Sequence, residues 1–168
     1  MTRTIALIGP MGAGKSSIGR RVAKHLDRRF SDTDAAIARE HGPVPDLFSL
    51  HGEPGFRAIE RRVVQRELAA GGVVALGGGA VLDPATRDDL ADCTVVLLTV
   101  DEQAVGERIA AGGRPLLTEG IASWRRIASD RRSVYEALAD LVVDTSRRPM
   151  TRIATELAEA LRQQEVHG

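Results

Sequence analysis

Apolar residues along this chain follow two rhythms that alternate from end to end. Residues 4–8 (TIALI), 73–76 (VVAL) and 93–99 (CTVVLLT) are short, largely apolar runs, and they read as strands buried on both faces, as in a parallel sheet. Residues 29–31, centred on Phe30, and 141–143, leading into Asp144, are weaker segments of the same kind. Between them the spacing is helical. Ile18, Val22 and Leu26 recur at every fourth position, as do Ile153, Leu157 and Leu161, while Ile59, Val63 and Leu68 outline a stripe between Glu53 and Ala70. Asp83-Pro84 and Asp101-Glu102 have the form of helix starts, an N-cap followed by Pro or an acidic residue. Such alternation predicts a three-layer α/β domain with right-handed crossovers. Residues 112–123 are the most loop-like internal stretch and the candidate for a lid.

Composition narrows the possibilities. At 168 residues the chain fits one domain, and 43% hydrophobic residues supply a core. Basic and acidic residues number 23 each, and this balance argues against a nucleic-acid coat or a membrane-adhesive surface. A single cysteine, Cys93, precludes an internal disulfide framework and suits a reducing compartment. No run reaches membrane-spanning length and the start carries no signal-peptide pattern, so a cytoplasmic enzyme is expected. Asparagine is absent, which excludes the Asn-Lys-x-Asp guanine-reading loop and the catalytic-loop Asn of protein kinases.

The strongest chemical signal is Gly9-Pro-Met-Gly12-Ala13-Gly14-Lys15-Ser16, a full G-x-x-x-x-G-K-[ST] phosphate loop between a strand and an amphipathic helix. Backbone N–H groups of Gly12 to Ser17 and the helix dipole would cradle phosphates, Lys15 would reach the β- and γ-phosphates, and Ser16 would bind Mg²⁺. An ordinary glycine-rich turn is the bland alternative. In an open parallel sheet, ligands bind beyond the carboxyl ends of the strands. There the chain places Asp32-Thr33-Asp34, two carboxylates able to serve a metal and an acceptor hydroxyl, or else a solvated turn with an N-cap. Gly77-Gly78-Gly79 either admits a substrate close to the backbone or forms a flexible turn.

Arg57, Glu60 and Arg61 share a helical face, and Arg114, Arg131, Arg147 and Arg148 are further cations, although arginines are most often solvated. Arg114 sits at the edge of the candidate lid, where a cation would stabilise a transferring phosphoryl group. Trp124 and Tyr135, flanking an Arg-rich helix, are expected to pack rather than stack on a ligand, and Cys93 to be an inert core thiol. The four histidines show no paired metal-ligand spacing.

In their order, GPMGAGKSSIGRRVAKHL, SDTD, LFSLHGEPGFRAIE, ALGGGAVL, RPLL, RRSVY and DTSRRP, the motifs resemble the shikimate kinase family nearly end to end. The resemblance implies a P-loop NTPase fold with a five-stranded parallel sheet in order 2-3-1-4-5, an acceptor-binding helical subdomain at about 33–61 and a lid. It also implies ATP-dependent phosphorylation of the 3-hydroxyl of shikimate. Nothing in the sequence suggests an obligate interface, so a monomer is expected. Asp34 would contact the acceptor hydroxyls, Arg57 and Arg131 the substrate carboxylate, and Gly78 and Gly79 the ring. Ser16 and Asp32 would position Mg²⁺, Arg114 would close over the phosphates, and Arg148 would lie near the adenine with Arg108 as an upstream candidate beside it. Glu60 would orient Arg57. As an ordinary surface Asp, Asp34 would be a weak base at neutral pH. Rival readings are a kinase for another small polyol acid such as gluconate, or a nucleotide-binding module without turnover.

Overall fold

The computed structural model describes residues 2–111 and 118–168, so Arg114 and the first half of the candidate lid lie outside the described residues. Five strands form one parallel sheet: β1 (Ile5–Ile8), β2 (Phe30–Asp32), β3 (Val73–Ala75), β4 (Thr94–Thr99) and β5 (Leu141–Asp144). Their order is β2-β3-β1-β4-β5, as the family resemblance implied. Registers such as Ile5 against Val73 and Thr94, and Val96 against Leu141, bring the carboxyl ends of the strands to one edge of the sheet. The central strands are apolar because both faces are covered. Ile5 and Leu7 point into one core with Ile18, Val96 and Ile153, while Ala6 and Ile8 point into another with Val64, Val74 and Leu97.

Helices α1 (Lys15–Leu26) and α7 (Met150–His167) cover the first face; of their four-residue stripes Ile18, Val22, Ile153, Leu157 and Leu161 are buried and Leu26 is partly so. α1 packs closely because Gly19 faces the sheet: a Cβ there would lie 2.7 Å from the Phe30 ring and 2.9 Å from Leu7. Helices α4 (Pro84–Leu90) and α5 (Glu102–Ala111) begin at the N-caps read from sequence, with Asp83 and Asp101 accepting backbone N–H bonds from Ala85 and Ala104. α6 (Thr118–Leu138) extends back into the stretch expected to be a lid, so residues from 118 onward are helical. Trp124 and Tyr135 lie within this helix rather than flanking it. Cys93 immediately precedes β4, and burial pushes its thiol up to about 11, consistent with an inert core residue.

Between β2 and β3, α2 (Thr33–His41) and α3 (Val44–Ala70) build a small third core from Ala36, Ile37, Leu47, Phe56 and Val63. The helix expected from Glu53 begins earlier, at Val44, and is broken at Gly52, whose φ of 67° lies in the left-handed region. Its second half runs on past Val63, in the third core, to Val64 and Leu68, which pack against the sheet.

Candidate active site

A cavity of about 900 Å³ opens beyond the carboxyl edge of the sheet. Its wall includes Gly12, Gly14, Lys15, Ser16 and Ser17 from the phosphate loop, Asp32 and Asp34 after β2, and Gly77 to Gly79 after β3. Arg57 and Glu60 from α3 and Arg131 from α6 complete its charged groups, while Val44, Phe48, Met11 and Ile127 make its mouth apolar.

The phosphate loop is held from several sides. Gly12 and Gly14 adopt φ of 83° and 92°, so the loop can turn its N–H groups inward ahead of α1. Ala13 is fully buried behind the loop, where its carbonyl accepts from the Thr145 hydroxyl at 2.7 Å. Arg108 donates to the Gly12 carbonyl at 2.6 Å and also to the Thr145 carbonyl, which ties the loop to the end of β5. The Trp124 indole N–H donates to the Met11 carbonyl at 2.8 Å. Lys15 folds back on its own loop, donating to the carbonyls of Gly9 at 2.6 Å and Pro10 at 3.0 Å. Burial lowers its pKa to about 8, with Asp34 and Asp32 opposing and Arg131 adding to that effect.

Asp32 divides its oxygens between two elements: Oδ1 caps α2 by accepting from the Ala35 N–H at 3.0 Å, and Oδ2 accepts from the Ser16 hydroxyl. Between the two carboxylates, Thr33 is fully buried and its hydroxyl accepts from the Gly77 N–H at 3.0 Å, joining the ends of β2 and β3. Asp34 is reached by solvent through the cavity mouth but enclosed by the surrounding wall. That enclosure, reinforced by the charge of Asp32, raises its pKa against the pull of Lys15 and Arg57. The raised pKa departs from the ordinary surface value expected from sequence.

Arg57 donates to Glu60 at 2.7 Å, and the buried Glu60 carboxyl is raised by its enclosure, with Arg57 pulling the other way. Arg61 turns away to Asp89 at 2.7 Å. Tyr135, one helical turn beyond Arg131, donates its hydroxyl to the Gly78 carbonyl at 2.6 Å. Neither Trp124 nor Tyr135 was assigned a site role from sequence. Only the spacing of Tyr135, four residues after Arg131, offered a signal. Arg148 lies apart from the cavity lining, paired with Glu156 on α7, and Arg147 pairs with Asp101 at 2.6 Å.

An ammonium and the N–H groups of the phosphate loop beside a carboxylate pair, with two guanidiniums on the same cavity wall, suit a phosphoryl donor and a carboxylate-bearing alcohol. The family model for shikimate kinase matches residues 11–162. This chain belongs to the shikimate kinase family. A shikimate kinase of Streptomyces avermitilis is 41% identical over 165 residues, covering 96% of each chain. Among solved structures, the shikimate kinase of Acinetobacter baumannii in complex with shikimate superposes with a TM-score of 0.88 at 29% identity, over 98% of this chain and 95% of that one. A gluconokinase of Sinorhizobium meliloti, at 23% identity and a TM-score of 0.64 over 96% of this chain and 97% of that one, shares the fold alone. As a shikimate kinase, the protein is an ATP-using phosphotransferase of aromatic amino-acid biosynthesis.

Proposed function

We propose that the cavity transfers the γ-phosphate of MgATP to the 3-hydroxyl of shikimate, giving shikimate 3-phosphate and ADP. The carrying observation is that one cavity wall presents Lys15 and Ser16, Asp32 and Asp34, and Arg57 and Arg131 together. In this reading Gly12 to Ser17 hold the phosphates through backbone N–H groups and Lys15 turns from its own loop carbonyls to the β- and γ-oxygens. Arg57 and Arg131 hold the acceptor carboxylate, with Arg57 oriented by Glu60, and the backbone of Gly78 and Gly79 lies against the ring. Asp34 accepts a hydrogen bond from the 3-hydroxyl and takes its proton as the new O–P bond forms and the bridging bond to ADP breaks. Its raised pKa makes that transfer less costly than transfer to a surface Asp. Residues 33–61 serve as the acceptor-binding unit, built on the third core.

Ser16 and Asp32 fit a hard divalent cation. They are adjacent oxygen donors at a helix N-terminus, and no cluster of three His, Cys, Asp or Glu occurs among the described residues, so substrate phosphates and water would complete the shell. Mg²⁺ there would neutralise charge on the phosphates. We further infer a cytoplasmic monomer; no helix among the described residues is long and apolar enough to cross a membrane. The test is ADP release from MgATP in a coupled assay with shikimate, with gluconate and with neither. Release that depends on shikimate supports the reading. Release with gluconate alone would transfer it to the polyol-acid rival, and release without any acceptor would make the site an ATPase.

A further inference from the structure

We propose that Gly77 and Gly79 are positioning residues: the glycine run is a fixed gauge against which the hydroxyl-facing Asp34 and the carboxylate-facing Arg57 are seated. The inference rests on the acceptor-site reading above. Neither glycine is among those with a left-handed φ, so conformation does not require it. Space does. A Cβ on Gly77 would stand 2.5 Å from Asp34 Oδ1 and 3.0 Å from its Cγ. A Cβ on Gly79 would stand 2.5 and 2.6 Å from the terminal nitrogens of Arg57 and 2.8 Å from its Cζ. Gly78, between them, leaves ordinary contact distances of 3.4 Å to Arg131 and 3.6 Å to the Tyr135 hydroxyl. The missing side chains of the outer pair are thus occupied by the working ends of two different acceptor groups.

The gauge is itself fixed. Leu76 donates to the Leu7 carbonyl at 3.0 Å, Gly77 to Thr33 at 3.0 Å, and Tyr135 to the Gly78 carbonyl at 2.6 Å. Ala80 and Leu82 then donate back to the carbonyls of Gly77 and Gly79 at 3.1 Å each, closing a short 3₁₀ turn. With Asp34 and Arg57 seated two residues apart on this segment, their working ends have one separation rather than a range. Such a pair selects a ring acid whose hydroxyl and carboxylate are held at a fixed distance over an open-chain polyol acid whose ends move independently.

The atoms that an added methyl would displace are the ends of flexible side chains, so Gly79→Ala should fold normally and lose only the seat of Arg57. The expected result is a shikimate KM raised roughly 10- to 100-fold, the range of a weakened charge-assisted pair, with MgATP KM and Tm unchanged. Arg57→Ala should raise shikimate KM at least as much, and adding Gly79→Ala to it should change kcat/KM for shikimate by less than about twofold, because the two changes remove one interaction. Effects that multiply in the double variant overturn the inference, since Gly79 would then act independently of Arg57. Loss of folding or of several degrees of Tm in Gly79→Ala also overturns it. Gly77→Ala provides the second arm: it should lower kcat through Asp34 with Tm kept, and unchanged kcat counts against the gauge. If Arg57→Ala alone leaves shikimate KM unchanged, the acceptor-site reading fails and the gauge with it. An effect of Arg57→Ala with a multiplicative double variant fails the gauge alone.

Discussion

Nucleotide binding should draw a proton onto Lys15. Its ammonium is enclosed and held to two backbone carbonyls of the loop, and its pKa falls from 10.5 to about 8. That displacement corresponds to ~3.4 kcal/mol disfavouring the charged form. Half of the empty protein therefore carries a neutral amine at pH 8, about one tenth at pH 7 and about nine tenths at pH 9. A phosphate charge brought to ~4 Å contributes about 4 kcal/mol at an effective dielectric of 20, enough to restore the ammonium. Titration calorimetry of MgADP in two amine buffers of different ionisation enthalpy measures this directly. We expect uptake of about half a proton per site at pH 8 and about a tenth at pH 7, abolished in Lys15→Arg, whose guanidinium never titrates here. The same displacement makes the stability of the empty protein rise between pH 8 and 10.5, where the unfolded chain keeps the proton longer, and nucleotide should remove that slope. Equal enthalpies in both buffers at pH 8, or uptake that survives in Lys15→Arg, would refute this account of the amine.

Other outcomes follow from the same contacts. Asp34→Asn should lower kcat by about three orders of magnitude, the loss of a general base plus a misplaced hydrogen-bond pattern, while MgATP affinity stays within a few-fold; weakened ATP binding would place Asp34 on the nucleotide instead. Glu60→Gln should raise shikimate KM several-fold through a loosened Arg57 and leave MgATP KM unchanged in the same steady-state assay. Gly9→Ala should cost roughly 3 kcal/mol or more in a urea melt, because Gly9 has φ of 142° and its added Cβ would meet the Leu98 backbone carbonyl; an unchanged midpoint would contradict that clash. Burial alone would raise the Glu67 carboxyl, but Arg29 and Arg66, at 2.5 and 2.9 Å, outweigh it and hold the pKa below the usual value of 4.5. Glu67 therefore supports the fold above about pH 4.5 and loses that contribution as pH falls through its lowered pKa, so Glu67→Gln should flatten the acid limb of the stability curve.

Much of the sheet was legible because its strands are buried on both faces and so lack polar interruptions. The runs at 73–76 and 93–99 end within a residue of β3 and β4. β2 was faint for a physical reason: it is an edge strand of three residues, partly exposed along its length, in which Phe30 alone packs on the core, and the Arg29–Glu67 pair lies beside it. Local motifs announced the phosphate loop and the Asp32–Asp34 pair. What stayed hidden was contact at a distance. Trp124 and Tyr135 act through carbonyls of Met11 and Gly78, and Arg108 and Thr145 through the back of the phosphate loop, pairings that no local pattern encodes. The glycine run was visible, but the reason for glycine, room for Asp34 and Arg57, exists only once α2 and α3 are folded over it.

The break in α3 divides the acceptor wall into two parts of different character. Arg57 and Glu60 ride on the half that continues as one rod to Val64 and Leu68, which pack against the sheet, so the charged part is anchored to a buried core. Val44 and Phe48 belong instead to a short segment bounded by Gly42 and Gly52, and added side chains at those glycines would meet open space or, at Gly52, ordinary contact with Pro54. Residues 43–51 thus form a cassette. Because Leu47 packs in the third core and Phe48 stacks on Phe56 at 4.5 Å, an exchange that keeps those two contacts would reshape the apolar mouth while leaving Arg57 and Glu60 where they are.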